Sequence, residues 1–274
     1  MFRTILIAAF SLVIAAPISA DTSRLKRLDT GDDSRGWEAV GKLNIDGKGF
    51  CTGALVAPNL VLTAAHCLFD TNTGRRIDHS KVEFLAGLRN GRASAYRMVR
   101  RAVVHPDYDF SSKVSAERVR NDVALLELHH PIRNTTIEPF ETDVRPRKGD
   151  EIGVVSYAHD RSDAPSLQEV CDVLARQQGV LVMSCNVDFG SSGAPIFSFR
   201  DGAPKIVSVV SAKAEVEGLP VSLGTQLEAP LALLIAELDA GKGVFQSVAP
   251  RTNRIGAKTK RNDTGAKFVT SGNN

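Results

Sequence analysis

From Trp37 to about residue 210 the chain is a succession of short apolar runs, each cut off by turn-forming residues. The runs fall at 39–45, 53–56, 60–64, 82–85, 98–104, 123–128, 151–157, 181–185, 194–199 and 206–210. Between them lie Asp46-Gly47, Pro58-Asn59, Asn90-Gly91, Lys148-Gly149-Asp150 and Asp201-Gly202. Many short strands at this spacing predict an all-β barrel or sandwich. No strand–helix–strand alternation is visible, which argues against a parallel α/β sheet. Only 6% of residues are aromatic, so the core must rest on Val, Ile, Leu and Ala. One helix is expected near the end. Pro230 suits a first helical position, Leu231, Leu234, Ile235 and Leu238 fall at helical spacing, and Gly241 follows as a stop.

The two ends have a different texture. Residues 1–20 carry one Arg, an apolar run over 5–16, then Pro17, Ser19 and Ala20, the layout of a secretory signal peptide cleaved after Ala20. That run is too short to cross about 30 Å of hydrocarbon comfortably, so an anchor is the poorer reading. Residues 21–36 are polar and aperiodic and read as a propeptide or flexible leader. The folded domain is expected over 37–243. Residues 244–274 form a basic tail, read as disordered and solvated.

Net charge is +3 overall, of which the tail from Gln246 contributes +5 and the signal peptide +1, leaving the body at −3. A mildly acidic body with a basic end does not suggest a nucleic-acid-binding domain. The four cysteines, Cys51, Cys67, Cys171 and Cys185, read as two disulfides in an exported chain. Sequential pairing is preferred among the three connectivities, and each short loop so closed is worth about 3 kcal/mol in the chain-entropy picture. No CxxC occurs and only His66 adjoins a cysteine, so no metal site is expected.

Three stretches carry chemistry. In Thr63-Ala64-Ala65-His66-Cys67 a bridge from Cys51 to Cys67 would immobilise His66 at a strand end, as a general base requires. In Asn121-Asp122-Val123-Ala124-Leu125-Leu126 an acid opens an apolar strand, where it can orient an imidazole. In Gly190-Ser191-Ser192-Gly193-Ala194-Pro195 small residues form a tight turn whose N–H groups can converge on one point, as an oxyanion hole needs. Each has an ordinary structural alternative: a core histidine, a strand-start Asp, a Gly/Ser loop. His105, beside Pro106, reads as structural, His129-His130 as exposed, and the Asp107, Asp109 pair as turn residues.

Taken together, CTGALVAPNLVLTAAHC, HPDYD followed by NDVALLEL, and GSSGAP resemble the signature regions of trypsin/chymotrypsin-like serine peptidases, in that family's order of His, Asp and Ser. The resemblance covers roughly residues 37–240. It implies two six-stranded antiparallel β-barrels, an active site in the cleft between them, and a C-terminal helix packed on the second. It implies His66 as general base, Asp122 as its orienting carboxylate, Ser192 as nucleophile, and an oxyanion hole from the N–H groups of Gly190 and Ser192. Cys51 and Cys67 match the bridge that brackets the His loop. The expected function is that of an exported serine endopeptidase, periplasmic or secreted, acting on protein or peptide substrates as a monomer with no cofactor. The alternative carried beside it is a non-catalytic binding protein on the same fold. An α/β-fold esterase would need the order Ser, acid, His.

The chain departs from animal digestive members. Ser191 stands where they have an Asp that binds a new N-terminal ammonium, and their Ile-Val-Gly-Gly start is missing; the nearest stretch is Trp37-Glu38-Ala39-Val40-Gly41. The sequence looks closer to exported bacterial members related to glutamyl endopeptidases. Asn186 lies six residues before Ser192, where trypsin has its pocket Asp. The strand matched to the glutamyl enzymes' pocket histidine reads Ile206-Val207-Ser208-Val209-Val210 and holds no His. The expected specificity pocket is therefore Asn186, Ser208, Val209 and Val210, with neither a basic nor a glutamyl preference and a lean toward apolar or small residues.

Overall fold

The computed structural model describes residues 25–143, 146–200, 202–216 and 218–245. The expected signal peptide and nearly all of the basic tail lie outside the described residues.

Six strands form the first barrel: β2 (Val40–Ile45), β3 (Gly49–Ala57), β4 (Leu60–Thr63), β5 (Val82–Ala86), β6 (Ala95–Val104) and β7 (Ala124–Leu128). They close in the order β2-β3-β4-β7-β6-β5. The period of two is visible in β5, where Val82, Phe84 and Ala86 are buried and Glu83 and Leu85 alternate outward. The second barrel comprises β8 (Glu151–Ala158), β9 (Arg161–Gln177), β10 (Val180–Met183), β11 (Pro195–Ser198), β12 (Lys205–Val216) and β13 (Leu219–Gln226). Its order is β9-β10-β13-β12-β11-β8, and β8 pairs with β9 to close it. Ile152, Val154, Leu181, Met183, Ile196 and Val207 fill its interior. Every pairing between these named strands is antiparallel.

Two barrel strands had no counterpart among the expected runs. The long β9 is polar in composition and contains Pro165. It bulges at Val170, whose φ is +65°, and only beyond that point does it alternate, with Cys171 and Val173 inward. Strand β13 is interrupted by Pro220 and Gly224. A Cβ on Gly224 would lie 2.3 Å from Ser208 Oγ.

The polar leader is partly built into the body. Residues Leu25–Arg27 form β1, paired with β9 through Leu25–Gln168, Lys26–Leu167 and Arg27–Ser166. Leu28 is fully buried and its N–H donates to Pro165 O at 2.9 Å. Arg27 clamps both carboxylate oxygens of Asp163 at 2.9 Å. A single buried leucine gave no periodic signal in the sequence.

The helix α2 (Glu228–Asp239) begins two residues before Pro230. Leu231, Leu234 and Leu238 are buried, whereas Ile235 is exposed. It does not pack on the second barrel, as the resemblance implied. It follows β13 and crosses to the first, against β6 and β7. Arg101 on β6 fixes its end by donating to Leu238 O at 2.9 Å. Both expected disulfides are present, Cys51–Cys67 and Cys171–Cys185.

Candidate active site

His66 follows β4 in a short 3-10 turn over Ala65–Leu68, and the Cys51–Cys67 bridge ties that turn to β3. Asp122 lies between α1 (Ala116–Arg120) and β7. Its carboxylate is almost wholly buried and takes three donors. The His66 backbone N–H donates to Oδ1 at 2.9 Å, and His66 Nδ1 lies 2.7 Å from Oδ2. The Ser211 hydroxyl donates to Oδ2 at 2.5 Å. With Nδ1 committed to the carboxylate, Nε2 is the ring nitrogen left for a proton from elsewhere. The imidazole remains about a quarter exposed, at 23% of its side chain.

Second-barrel side chains hold the acid from behind. Thr225 Oγ1 donates to Val119 O at 2.6 Å and to Asp122 O at 3.2 Å. Nearby, burial, and then the Asp122 charge, push the Tyr108 hydroxyl pKa up. His105 donates nothing to this group; its Nδ1 accepts the Asp107 N–H at 3.3 Å.

Ser192 sits on the loop between β10 and β11, wedged between the barrels. Thr52 on β3 grips that loop twice: its N–H donates to Ser192 O and its hydroxyl to Gly190 O, both at 2.9 Å. The same hydroxyl accepts the Tyr157 N–H at 3.1 Å, and Thr52 O accepts the Thr63 hydroxyl at 2.9 Å. From the other side Gly193 N–H donates to Val210 O at 2.8 Å. Ser191 N–H donates to Asp188 O at 2.9 Å. Among the described residues the N–H groups of Gly190 and Ser192 have no acceptor, and no hydrogen bond joins the Ser192 hydroxyl to His66.

Both positions favour glycine, by different margins. Gly190 has φ +96°, and a Cβ there would fall 2.4 Å from the Phe50 ring. At Gly193, φ +72°, a Cβ would meet Thr63 Oγ1 at 2.1 Å and Thr52 O at 2.6 Å. Glycine alone meets both the conformation and the space without strain. Ser191 is fully buried, its hydroxyl 3.1 Å from Ser156 Oγ, so the position held by Asp in digestive members turns into a hydroxyl network.

The expected pocket needs correcting. Ser208 and Val209 are fully buried and Val210 nearly so. Ser208 spends its hydroxyl on Thr225 O at 2.8 Å. The two valines belong to the barrel cores. The part of β12 that borders the site starts three residues later, at Ser211, and continues to Lys213, whose ammonium lies 3.1 Å from Asp188. The backbone N–H of Phe189, and then Lys213, hold the Asp188 carboxyl below its usual range. Asn186 is exposed, its N–H donating to Gln168 Oε1 at 3.0 Å. Ser211 was missed because it stands one residue past an apolar run with no local mark of its role. The one cluster of metal-ligand types among the described residues is Cys51, His66 and Cys67, and its sulfurs are already bonded to each other.

Two closed antiparallel barrels with a C-terminal helix and a histidine–carboxylate pair at their junction define the chymotrypsin-like class. The chain belongs to the trypsin family, whose model matches residues 30–218. It is related to glutamyl endopeptidases: that of Bacillus licheniformis is 25% identical over 150 residues, 54% of this chain and 45% of the relative. A trypsin of Saccharopolyspora erythraea is 32% identical over 105 residues, 36% of this chain and 39% of the relative. The chain thus spans less than half the length of these curated relatives. Among solved structures, a Glu endopeptidase in complex with MPD superposes with TM-score 0.65 at 18% identity, over 78% of this chain and 97% of that one. An inactivated protease paralogue of the scabies mite gives 0.62 at 16%, over 82% and 99%. These two likenesses concern the fold.

Proposed function

We propose that the protein is an exported serine endopeptidase that hydrolyses peptide bonds through an acyl-enzyme. Ser192 Oγ attacks the carbonyl carbon, His66 Nε2 takes its proton and passes it to the leaving amine, and Asp122 holds the imidazole tautomer. The N–H groups of Gly190 and Ser192 receive the developing oxyanion. Water then deacylates Ser192 by the same route. The observation that carries this reading is the double engagement of Asp122 by His66, ring and backbone together. The two disulfides fit an oxidising compartment. No helix among the described residues is long and apolar enough to cross a membrane.

The test is labelling of the protein from residue 21 onward with a fluorophosphonate probe, beside a Ser192→Ala control. Label on the parent and none on the control is expected. A second reading, a binding protein on this scaffold, draws on the want of a hydrogen bond between the Ser192 hydroxyl and His66 among the described residues. Folded parent protein that takes no label would favour it.

A further inference from the structure

On its first-barrel side the Ser192 loop borders a groove of about 370 Å³ that the proposed chemistry leaves unused. Phe50 forms one wall, packed where a side chain on Gly190 would fall. His159 forms another. Its N–H donates to Phe189 O at 2.9 Å, and its ring centroid lies 5.3 Å from that of Phe50. Leu85 and Leu88 add apolar surface.

One charge in this groove lacks a counterpart. Lys42 is half-buried; its ammonium donates to Ser162 O at 3.1 Å and lies 4.3 Å from the Phe50 centroid. Burial pushes its pKa down. Among the described residues no carboxylate pairs with it, and no Asp or Glu lines the groove. Lys48 at the rim is already matched by Asp46 at 2.7 Å. Asp163, whose field reaches Lys42, is clamped by Arg27. A half-buried ammonium satisfied only by a neutral carbonyl and a π face gains most from an incoming carboxylate.

The side of the cleft follows from the proton's path. His66, which would protonate the leaving amine, belongs to the first barrel, and its turn is bridged to Cys51, the neighbour of Phe50. The segment released at acylation therefore exits over β3, away from β12. Resting on the peptidase reading, we propose that this groove receives an acidic side chain from the leaving segment of the peptide, with Lys42 as the cation that selects it.

The experiment compares internally quenched peptides that differ at one of the three residues after the cleaved bond, Asp or Glu against Asn, Gln or Lys. They are assayed on the parent, Lys42→Met and Lys42→Glu. The parent should favour the acidic peptide over its amide counterpart in kcat/KM by about fivefold, the size of a partly exposed ion pair. The ratio should fall to about one in Lys42→Met and turn toward the Lys peptide in Lys42→Glu. Each ratio is taken on one protein, so a loss of folded fraction cancels. A parent labelled at Ser192 that shows no acidic preference, or a preference that survives both substitutions, overturns this inference alone. A parent that takes no label and cleaves no peptide overturns the peptidase reading and this inference with it.

Discussion

Ser211, on the second barrel, donates its hydroxyl hydrogen to the carboxylate of Asp122, on the first. The acid that orients His66 is thereby positioned from both barrels. Replacing Ser211 with Ala should lower kcat by about tenfold with KM little changed, the effect of one lost charge-assisted hydrogen bond. Steady-state kinetics beside a circular dichroism spectrum decide it, and an unaltered kcat would refute a positioning role. Asp122→Asn should cost far more, about 10⁴-fold in kcat, because the wrong tautomer results.

Thr52 offers a second test. In Thr52→Val the side chain keeps its shape, but Gly190 O loses its donor and Tyr157 N–H its acceptor in a buried setting. A loss of about 2 kcal/mol in urea unfolding is expected, together with weaker fluorophosphonate labelling. Full labelling at parental stability would show that the backbone bond to Ser192 holds the loop unaided.

At Gly193 the obstacle to a side chain is partly backbone, Thr52 O and Ala64 N, which cannot step aside. Gly193→Ala should therefore destabilise by about 2 kcal/mol or more and abolish activity. Gly190→Ala faces mainly the Phe50 ring, which can shift. It should fold but lose about a hundredfold in kcat through its displaced N–H. Equal stability losses in the two variants would contradict this ordering.

Two histidines make stability depend on pH. Burial is the main cause that lowers the pKa values of His79 and His105. As pH falls through the unfolded value, about 6.5, the unfolded chain takes protons that the folded one resists. Tm should accordingly decline from near neutrality downward until the folded values are reached. His105→Gln should flatten that decline; a curve parallel to the parent's would assign it to other groups.

His66, Asp122 and Ser192 could be singled out in the sequence because each lies in a run of residues whose neighbours are themselves informative: a cysteine, an apolar strand, paired glycines; of the three, the structure joins His66 to Asp122 by hydrogen bonds. Ser211, Thr52 and Thr225 were not, since a lone hydroxyl in a strand leaves no local pattern. Their roles arise from the register in which the barrels meet. Ser208 and Ser211 were indistinguishable in the sequence for the same reason, because both adjoin valines and only the contact with Asp122 tells them apart. Ten apolar runs pointed to an all-β barrel or sandwich and the resemblance supplied the two barrels, whereas β9 hid behind its bulge at Val170 and its polar composition. The helix was visible but not the barrel it covers, because a leucine stripe does not name its partner.

Strand β1 has a consequence for the behaviour of many molecules together. Around Gln168 strand β9 is paired with β8 on one flank, and β1 occupies the other. Without it, a row of main-chain donors and acceptors would face solvent and template the addition of a foreign strand. The N-terminal segment acts as a hem on the second barrel, and a protein trimmed past Leu28 would meet its neighbours through that raw border.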